Sequence, residues 1–182
     1  SEPPSAETID LGRQMAEAVA ALPAISIARI HGHCVGGGLV LAGACDLRVA
    51  AESTRFSIPE VDFGIPLAWG GIPRLVRELG PAATKELVLT CRPFTAGEAL
   101  SLGFLNRVAE DDDLVAEVEE LALELSKKPA FLIRQTKHLV DAMVEQAYPT
   151  GQSFRDAQIT IAALSDPESR QAAERYLQQH GR

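Results

Sequence analysis

Residues 23–50 read PAISIARIHGHCVGGGLVLAGACDLRVA and carry two strand patterns with a glycine-rich segment between them. The isoleucine-rich residues 24–30 predict a buried strand, and residues 46–51 predict a second one. Between the two, residues 31–38 predict a glycine-rich turn and residues 39–44 predict a short helix. A strand, a turn, a helix and a second strand in this order favour a parallel crossover, the unit from which α/β folds are built.

Helices dominate the prediction on either side of this unit. Residues 9–22 carry apolar side chains at helical spacing and predict an amphipathic helix that Pro23 ends. Residues 54–71 predict a loop, because prolines and glycines follow one another closely there. Beyond the loop, residues 105–108 predict a short strand, and helical patterns fill most of the remaining sequence. The second half of the chain is therefore expected to be almost entirely helical.

Length and composition bound the class of protein. The 182 residues fit a single domain, and 46% hydrophobic residues are enough to build a core. The 17 basic and 25 acidic side chains give a net charge of −8, which argues against a nucleic-acid partner because such proteins need a basic face. No stretch reaches the ~18 apolar residues of a membrane span. Three cysteines without a CxxC pair argue against disulfides and structural zinc, and favour a reducing, cytoplasmic compartment.

The glycine triplet Gly36, Gly37 and Gly38 is the first candidate for chemistry. Glycines at a junction between strand and helix let the backbone approach a ligand, and they expose N–H groups at the positive end of the helix. Such donors bind a phosphate or polarise a carbonyl oxygen on which charge grows during a reaction. A tight turn that only lets helix and strand pack closely explains the triplet equally well.

Cys34 lies in the pattern GHCVG of residues 32–36, which has the spacing of a nucleophile elbow with cysteine in place of serine. In that interpretation the thiol attacks an ester, but the residues that follow predict too few strands for a hydrolase sheet. A small buried side chain is the better interpretation of Cys34. His31 and His33 form an HxH pair, but no third metal ligand follows at a recognisable spacing, so we expect no metal site.

Glu60 is the most specific single candidate for a catalytic residue. It follows the segment FSIP and precedes VDFGIP, so apolar side chains and prolines surround its carboxyl group. Partial desolvation raises the pKa of a carboxyl group and suits it to proton transfer. In an extended segment Asp62 would face the same way and couple to Glu60. A surface glutamate in a proline-bounded turn is the alternative, and the residues alone favour that alternative.

The order and spacing of these motifs closely resemble the crotonase superfamily of enoyl-CoA hydratases and isomerases. The resemblance extends over residues 22–108, and it includes the two later segments WGGIPRLVRELG and LVLTCRPFTAGEALSLGFLNRV. It implies an α/β spiral of ββα units with a helical C-terminal region used in trimerisation. We accordingly expect a polar N-terminal loop or chain edge over residues 1–8, a crotonase-like core over residues 9–108 and a helical region over residues 109–182. The resemblance implies that these residues correspond to roughly the C-terminal two-thirds of a family domain, without its N-terminal part.

The resemblance also implies a function. Family members bind acyl-CoA thioesters and stabilise an enolate in an oxyanion hole, so coenzyme A enters as part of the substrate and no separate cofactor is expected. By motif position, Gly37 supplies an oxyanion-hole N–H, and Glu60 is the family's second catalytic carboxylate. Val40 stands where the first carboxylate belongs, which favours isomerisation with a single base over hydration with two glutamates. The resemblance implies further substrate-binding positions at Cys34, Val35, Gly36, Val40, Leu67 and Trp69.

Two alternatives stay open beside an enoyl-CoA hydratase/isomerase. A non-catalytic acyl-CoA-binding homologue is favoured by Val40 and by a second oxyanion donor that the resemblance places upstream of these residues. Loss of such a donor typically costs ~3–4 kcal/mol in the transition state. The same two features imply an impaired activity if the chain is an enzyme. The second alternative is the hydrolase with Cys34 as nucleophile. As partners, the resemblance implies an acyl-CoA substrate and a homotrimer or hexamer.

Overall fold

The computed structural model describes residues 5–180 as short strands and longer helices. Within these residues the strands are β1 (Ile27–Ile30), β2 (His33–Val35), β3 (Leu47–Ala51), β4 (Arg55–Ser57), β5 (Phe94–Thr95) and β6 (Arg107–Ala109). The helices are α1 (Ala6–Ala20), α2 (Gly37–Ala42), α3 (Gly71–Thr90), α4 (Ala96–Ser101), α5 (Leu114–Ser126), α6 (Ala130–Ala147), α7 (Asp156–Ser165) and α8 (Pro167–His180), with a 3-10 helix over Thr150–Arg155.

The strands form two three-stranded sheets, and the first confirms the predicted parallel crossover. In that sheet β1 pairs in parallel with β3, with Ile27 opposite Leu47 and Ile30 opposite Ala50, and β6 extends it on the other side of β3. In the second sheet β2 pairs in parallel with β4, which pairs antiparallel with β5. Because β1 leads directly into β2, the chain passes from one sheet to the other just before the glycine turn.

The main core is built from aliphatic and phenylalanine side chains of β4, α2, α3 and α4. Phe56 of β4 is fully buried, and its ring stacks on that of Phe94 at a centroid distance of 5.3 Å. Phe104 meets Phe56 edge to face at 6.1 Å. Aromatic pairs of this geometry contribute beyond the area that they bury, so they anchor β4 and the segment that follows it.

Several bounds differ from the sequence prediction. Strand β2 lies inside the predicted glycine-rich turn of residues 31–38, and β4 lies inside the loop predicted over residues 54–71. Helix α1 begins at Ala6 rather than at residue 9, because the Ser5 side chain accepts the N–H of Thr8 and caps the helix. Residues 6–8 are therefore helical, whereas residues 1–4 of the predicted loop lie outside the described residues, as do residues 181–182. The helical pattern that follows the predicted loop forms α3, which is interrupted where Gly80 takes φ 75° ahead of Pro81.

Helix α6 stands apart from the core. It buries no residue, and two ion pairs connect it to the body of the protein: Lys137 with Asp46 at 2.8 Å, and Glu145 with Arg77. A groove of about 930 Å³ separates the helix from the elements beneath it. Several large apolar side chains of α6 are exposed: Leu132 and Val140 line the groove, while Phe131 and Leu139 do not.

Candidate active site

The glycine turn between β2 and α2 has a backbone shape that glycine adopts most readily. Gly36 lies at φ 52° and ψ −118°, in the positive-φ region that residues with a Cβ rarely enter. Its N–H donates to the carbonyl oxygen of Ser57 at 3.0 Å and ties the turn to the end of β4. Helix α2 then begins at Gly37, whose N–H has no acceptor within its own helix. The turn therefore presents a backbone donor beside the segment that follows β4.

Glu60 lies in that segment, and its carboxyl group rests on the glycine turn. The N–H of Ile65 donates to the Glu60 carbonyl oxygen at 3.0 Å and holds the backbone in a tight turn. A methyl group built on Gly36 would overlap Glu60 Oε1 and would lie 3.1 Å from Glu60 Cδ. The space left by the missing side chain at Gly36 is thus the space that the carboxyl group occupies.

The surroundings of Glu60 make its carboxyl group a stronger base than an exposed glutamate. Burial raises the pKa of Glu60, opposed by a weaker backbone hydrogen bond that lowers it. Its Oε2 atom is buried and has no hydrogen-bond partner among the described residues. An oxygen that is dehydrated and unpaired has a lone pair free for a substrate proton.

The extended geometry that would place Asp62 beside Glu60 is not formed. Residues 59–64 are a series of turns, and the Asp62 side chain is exposed while that of Glu60 is half-buried. The alternation of faces that an extended segment requires is lost in such turns. Of the two carboxyl groups, Glu60 is the one placed on the glycine turn.

Trp69 packs on Gly37, the residue of the turn that follows Gly36. A methyl group built on Gly37 would overlap Trp69 Cζ3 and would lie 2.9 Å from its Cη2. The indole also covers Gly12 in the middle of α1, where a methyl group would overlap Cε2, Cδ2 and Nε1. The Trp69 ring is therefore wedged between the backbones of α1 and α2.

The backbone at Trp69 is strained and clamped. Trp69 has φ 61°, an unfavourable region for a bulky side chain. Arg74 donates to the carbonyl oxygens of Trp69 and Gly70 at 3.3 and 3.0 Å, and Asp156 Oδ2 accepts the N–H of Gly70 at 2.8 Å. Strain of this kind persists only where the surroundings over-determine the conformation.

The other predicted site residues lie around the turn in different environments. Val40 and Leu67 are buried and meet at Gly71, where a methyl group would lie 2.8 Å from each side chain. Cys34 is 6% exposed, and burial raises the pKa of its thiol to about 12. Val35 is 40% exposed. The structure thus brings Glu60 and Trp69 onto the triplet directly, while Val40 and Leu67 lie in the core and meet at Gly71.

Contacts from the end of the chain complete the site, and the sequence interpretation missed them. The Phe63 ring packs on Tyr176 of α8 at a centroid distance of 3.9 Å, and Gly64 Cα lies against the backbone of Ser169. Helix α8 therefore covers the loop that carries Glu60. Gly12 carries a weak sequence signal, because a glycine inside a helical pattern costs stability and can be there for packing.

Neither a metal centre nor a membrane segment is found in the part of the chain that the structure describes. Residues 5–180 contain no group of three or more histidine, cysteine, aspartate or glutamate side chains placed to hold a metal ion. Among the same residues, no helix combines the length and the apolar character that crossing a bilayer would require.

Comparison with solved structures gives the class of fold. The chain superposes on an enoyl-CoA hydratase from Mycobacterium avium subsp. paratuberculosis K-10 with a TM-score of 0.88 and 25% sequence identity, over 95% of this chain and 70% of that one. That protein has the crotonase fold. The sequence model of the enoyl-CoA hydratase/isomerase family matches residues 6–180, and the chain belongs to this family within the crotonase superfamily.

Two curated relatives agree with this assignment. YngF of Bacillus subtilis (strain 168), an enoyl-CoA hydratase/isomerase by name, is 38% identical over 145 residues, which are 80% of this chain and 56% of YngF. A short-chain-enoyl-CoA hydratase of Clostridioides difficile is 39% identical over 127 residues, which are 70% of this chain and 81% of the relative. The chain thus spans little more than half the length of YngF.

Proposed function

We propose that this chain takes part in proton transfer on acyl-CoA thioesters through an enolate, with isomerisation favoured over hydration. The observation that carries the proposal is the Glu60 carboxyl group. It is half-buried, it packs on the glycine turn, and its Oε2 has no partner in the described part of the chain. Membership of the enoyl-CoA hydratase/isomerase family supports the substrate class.

In the proposed reaction Glu60 acts first as a base and then as an acid. Its carboxylate removes a proton from the α-carbon of a 3-enoyl thioester, and the electron pair of the broken C–H bond forms an enolate. The N–H of Gly37 donates to the thioester oxygen as negative charge grows there. The protonated Glu60 then returns the proton to the γ-carbon, which yields the 2-enoyl thioester and restores the base. No separate cofactor is consumed, because coenzyme A is carried as part of the substrate.

Val40 supports isomerisation over hydration. By the resemblance it stands where a first catalytic carboxylate is expected, and the structure shows a side chain with no exposed surface. Hydration would use a second carboxylate to position and activate water, whereas isomerisation needs one base. The non-catalytic acyl-CoA-binding homologue remains the second candidate function, because the same valine favours it.

Deuterium exchange at the α-carbon of a simple acyl-CoA in heavy water, followed by mass spectrometry, tests the proposal without knowledge of the natural substrate. Exchange is expected because the assay requires only that an enolate form and be reprotonated. Binding of the same acyl-CoA, measured by calorimetry, separates the two candidates. Binding without any exchange would contradict the enzyme and support the binding protein.

Cys34→Ala is expected to leave this exchange unchanged within about twofold. The thiol is buried and its pKa is raised, so almost no thiolate exists at neutral pH, and the thiolate is the nucleophilic form. Hydrolysis of acyl-CoA by the wild type and the variant should be measured in parallel. Thioester hydrolysis that iodoacetamide stops and Cys34→Ala abolishes would instead support the hydrolase.

We further propose a homotrimer or hexamer in a reducing, cytoplasmic compartment. The exposed apolar side chains of α6 support the assembly, and the unpaired state of Cys34, Cys45 and Cys91 supports the compartment. Light scattering should give a mass of three or six chains, and a monomer would contradict the assembly. Leu139→Lys on α6 should lower that mass, while Leu89→Lys, at an equally exposed leucine of α3, serves as the matched control.

A further inference from the structure

We infer that Trp69 limits the length of the acyl chain and makes this a site for short-chain thioesters, an inference that rests on the function proposed above. The ring fills the gap between α1 and α2 beside Gly37, and in this proposal the acyl chain runs from the reacting carbons toward that gap. Longer acyl chains meet the indole and are disfavoured.

The first observation is the tight fit of the ring between two helices. One edge of the indole lies on Gly37 and the rest of it lies on Gly12, and at neither position does the structure leave room for a methyl group. Two glycines, one at the start of α2 and one inside α1, thus accommodate a single large side chain. No smaller side chain at position 69 would close this gap.

The second observation is the position of the ring relative to the base. Glu60 Oε1 lies against Gly36 and the indole lies against Gly37, and consecutive Cα atoms are ~3.8 Å apart. The α-carbon of a substrate must lie within hydrogen-bond reach of the Glu60 carboxylate. A thioester bound there therefore lies next to the indole, and in this proposal the first methylene groups of its acyl chain run beside the ring.

The third observation is that the ring has little freedom to move aside. Its backbone has φ 61°, and Arg74 and Asp156 fix the peptide groups of Trp69 and Gly70. Arg74 is 5% exposed, so this clamp is itself held by the core. A wall that is fixed on both its backbone and its ring discriminates by size, whereas a mobile one would yield to a longer chain.

The test compares Trp69→Gly with the wild type on a series of saturated acyl-CoA thioesters from four to twelve carbons. Glycine removes the ring and also relieves the positive φ. Dissociation constants from calorimetry and α-exchange rates are both measured, so binding is read independently of catalysis. In the wild type, affinity and exchange should fall at least about tenfold from the shortest to the longest chain, the scale on which a site rejects excess methylene groups. In Trp69→Gly this ratio should approach one.

Two further variants keep the outcome interpretable. Trp69→Phe retains the strain and the clamp with a smaller ring, so its ratio should fall between those of the wild type and Trp69→Gly. Leu79 lies about 12 Å along α3 from Gly71 and packs against the main core. Leu79→Ala should therefore leave the ratio between the shortest and the longest chain as in the wild type. Because Trp69 is the only tryptophan, its fluorescence reports directly on whether a bound acyl chain reaches the ring.

Three results would overturn the inference. A length preference that persists unchanged in Trp69→Gly and Trp69→Phe would show that another wall sets it, while the proposed function stands. Equal use of all chain lengths by the wild type would likewise remove the limit without touching the enolate chemistry. A wild type that neither binds nor exchanges any of the thioesters would overturn both the inference and the proposed function.

Discussion

Glu60→Gln is expected to reduce α-proton exchange by about 10²- to 10⁴-fold, the usual contribution of a positioned acid or base. Glutamine has nearly the same shape and keeps the packing on Gly36, but its amide does not accept a proton at neutral pH. The measurement is deuterium incorporation into a simple acyl-CoA with both proteins at equal concentration. Affinity for the same thioester should change little, because the substitution removes the proton acceptor and leaves the surrounding walls in place.

The pH dependence gives a second readout of the same carboxyl group. The pKa of Glu60 is raised by burial, and the reaction needs its ionised form, so exchange by the wild type should rise with pH through a pKa above the ordinary glutamate value. A raised pKa in the folded state also means that ionisation of Glu60 costs stability as pH rises through that pKa. The glutamine variant should therefore melt at a temperature equal to or above that of the wild type at neutral pH. Equal exchange by both proteins would rule out Glu60 as the base.

Gly36→Ala is expected to lower exchange nearly as far as loss of the base itself and to destabilise the fold by about 1–3 kcal/mol. The new methyl group would occupy the place of Glu60 Oε1 and drive the carboxyl group off the turn. Alanine would also be forced to φ 52°, a conformation that its Cβ disfavours. The measurements are the exchange rate and the free energy of unfolding by urea.

Gly38→Ala provides a matched control two residues away. A methyl group there meets no atom within 4 Å, and Gly38 does not have positive φ. Alanine is also the better helix former, so this variant should be as stable as the wild type or slightly more so. It should keep its exchange activity. Similar losses in both glycine variants would mean that the triplet acts through general flexibility and not through the seating of Glu60.

Local patterns were sufficient to predict the crossover but not the second sheet. Strands β1 and β3 are apolar runs long enough to be recognised, and their parallel pairing follows from the turn and helix between them. Strands β2, β4 and β5 have only two or three residues each, too few for an alternating pattern. Their pairing depends on tertiary contacts such as that of Phe56 with Phe94.

The site was predictable as separate residues but not as an arrangement. Gly37 and Glu60 could be predicted as site residues from the family's motif positions. The contact between the Glu60 carboxyl group and Gly36 could not, because it depends on the turns over residues 59–64. The clamp between Gly70 and Asp156 joins residues far apart in the sequence and has no local signature. Contacts of this kind form only in the folded chain, because no single segment of the sequence encodes them.

The covering of the Glu60 loop by α8 bears on how the protein acquires its site during synthesis. Gly64 lies against Ser169, which is encoded more than a hundred residues later. At ~5–20 residues per second, a ribosome delivers α8 roughly 5–20 s after the loop. The glycine turn and its carboxyl group thus emerge early, and the loop waits uncovered until the helix arrives. Nascent chains that stall within this interval carry the base without its final packing, so the seated site is a late product of translation.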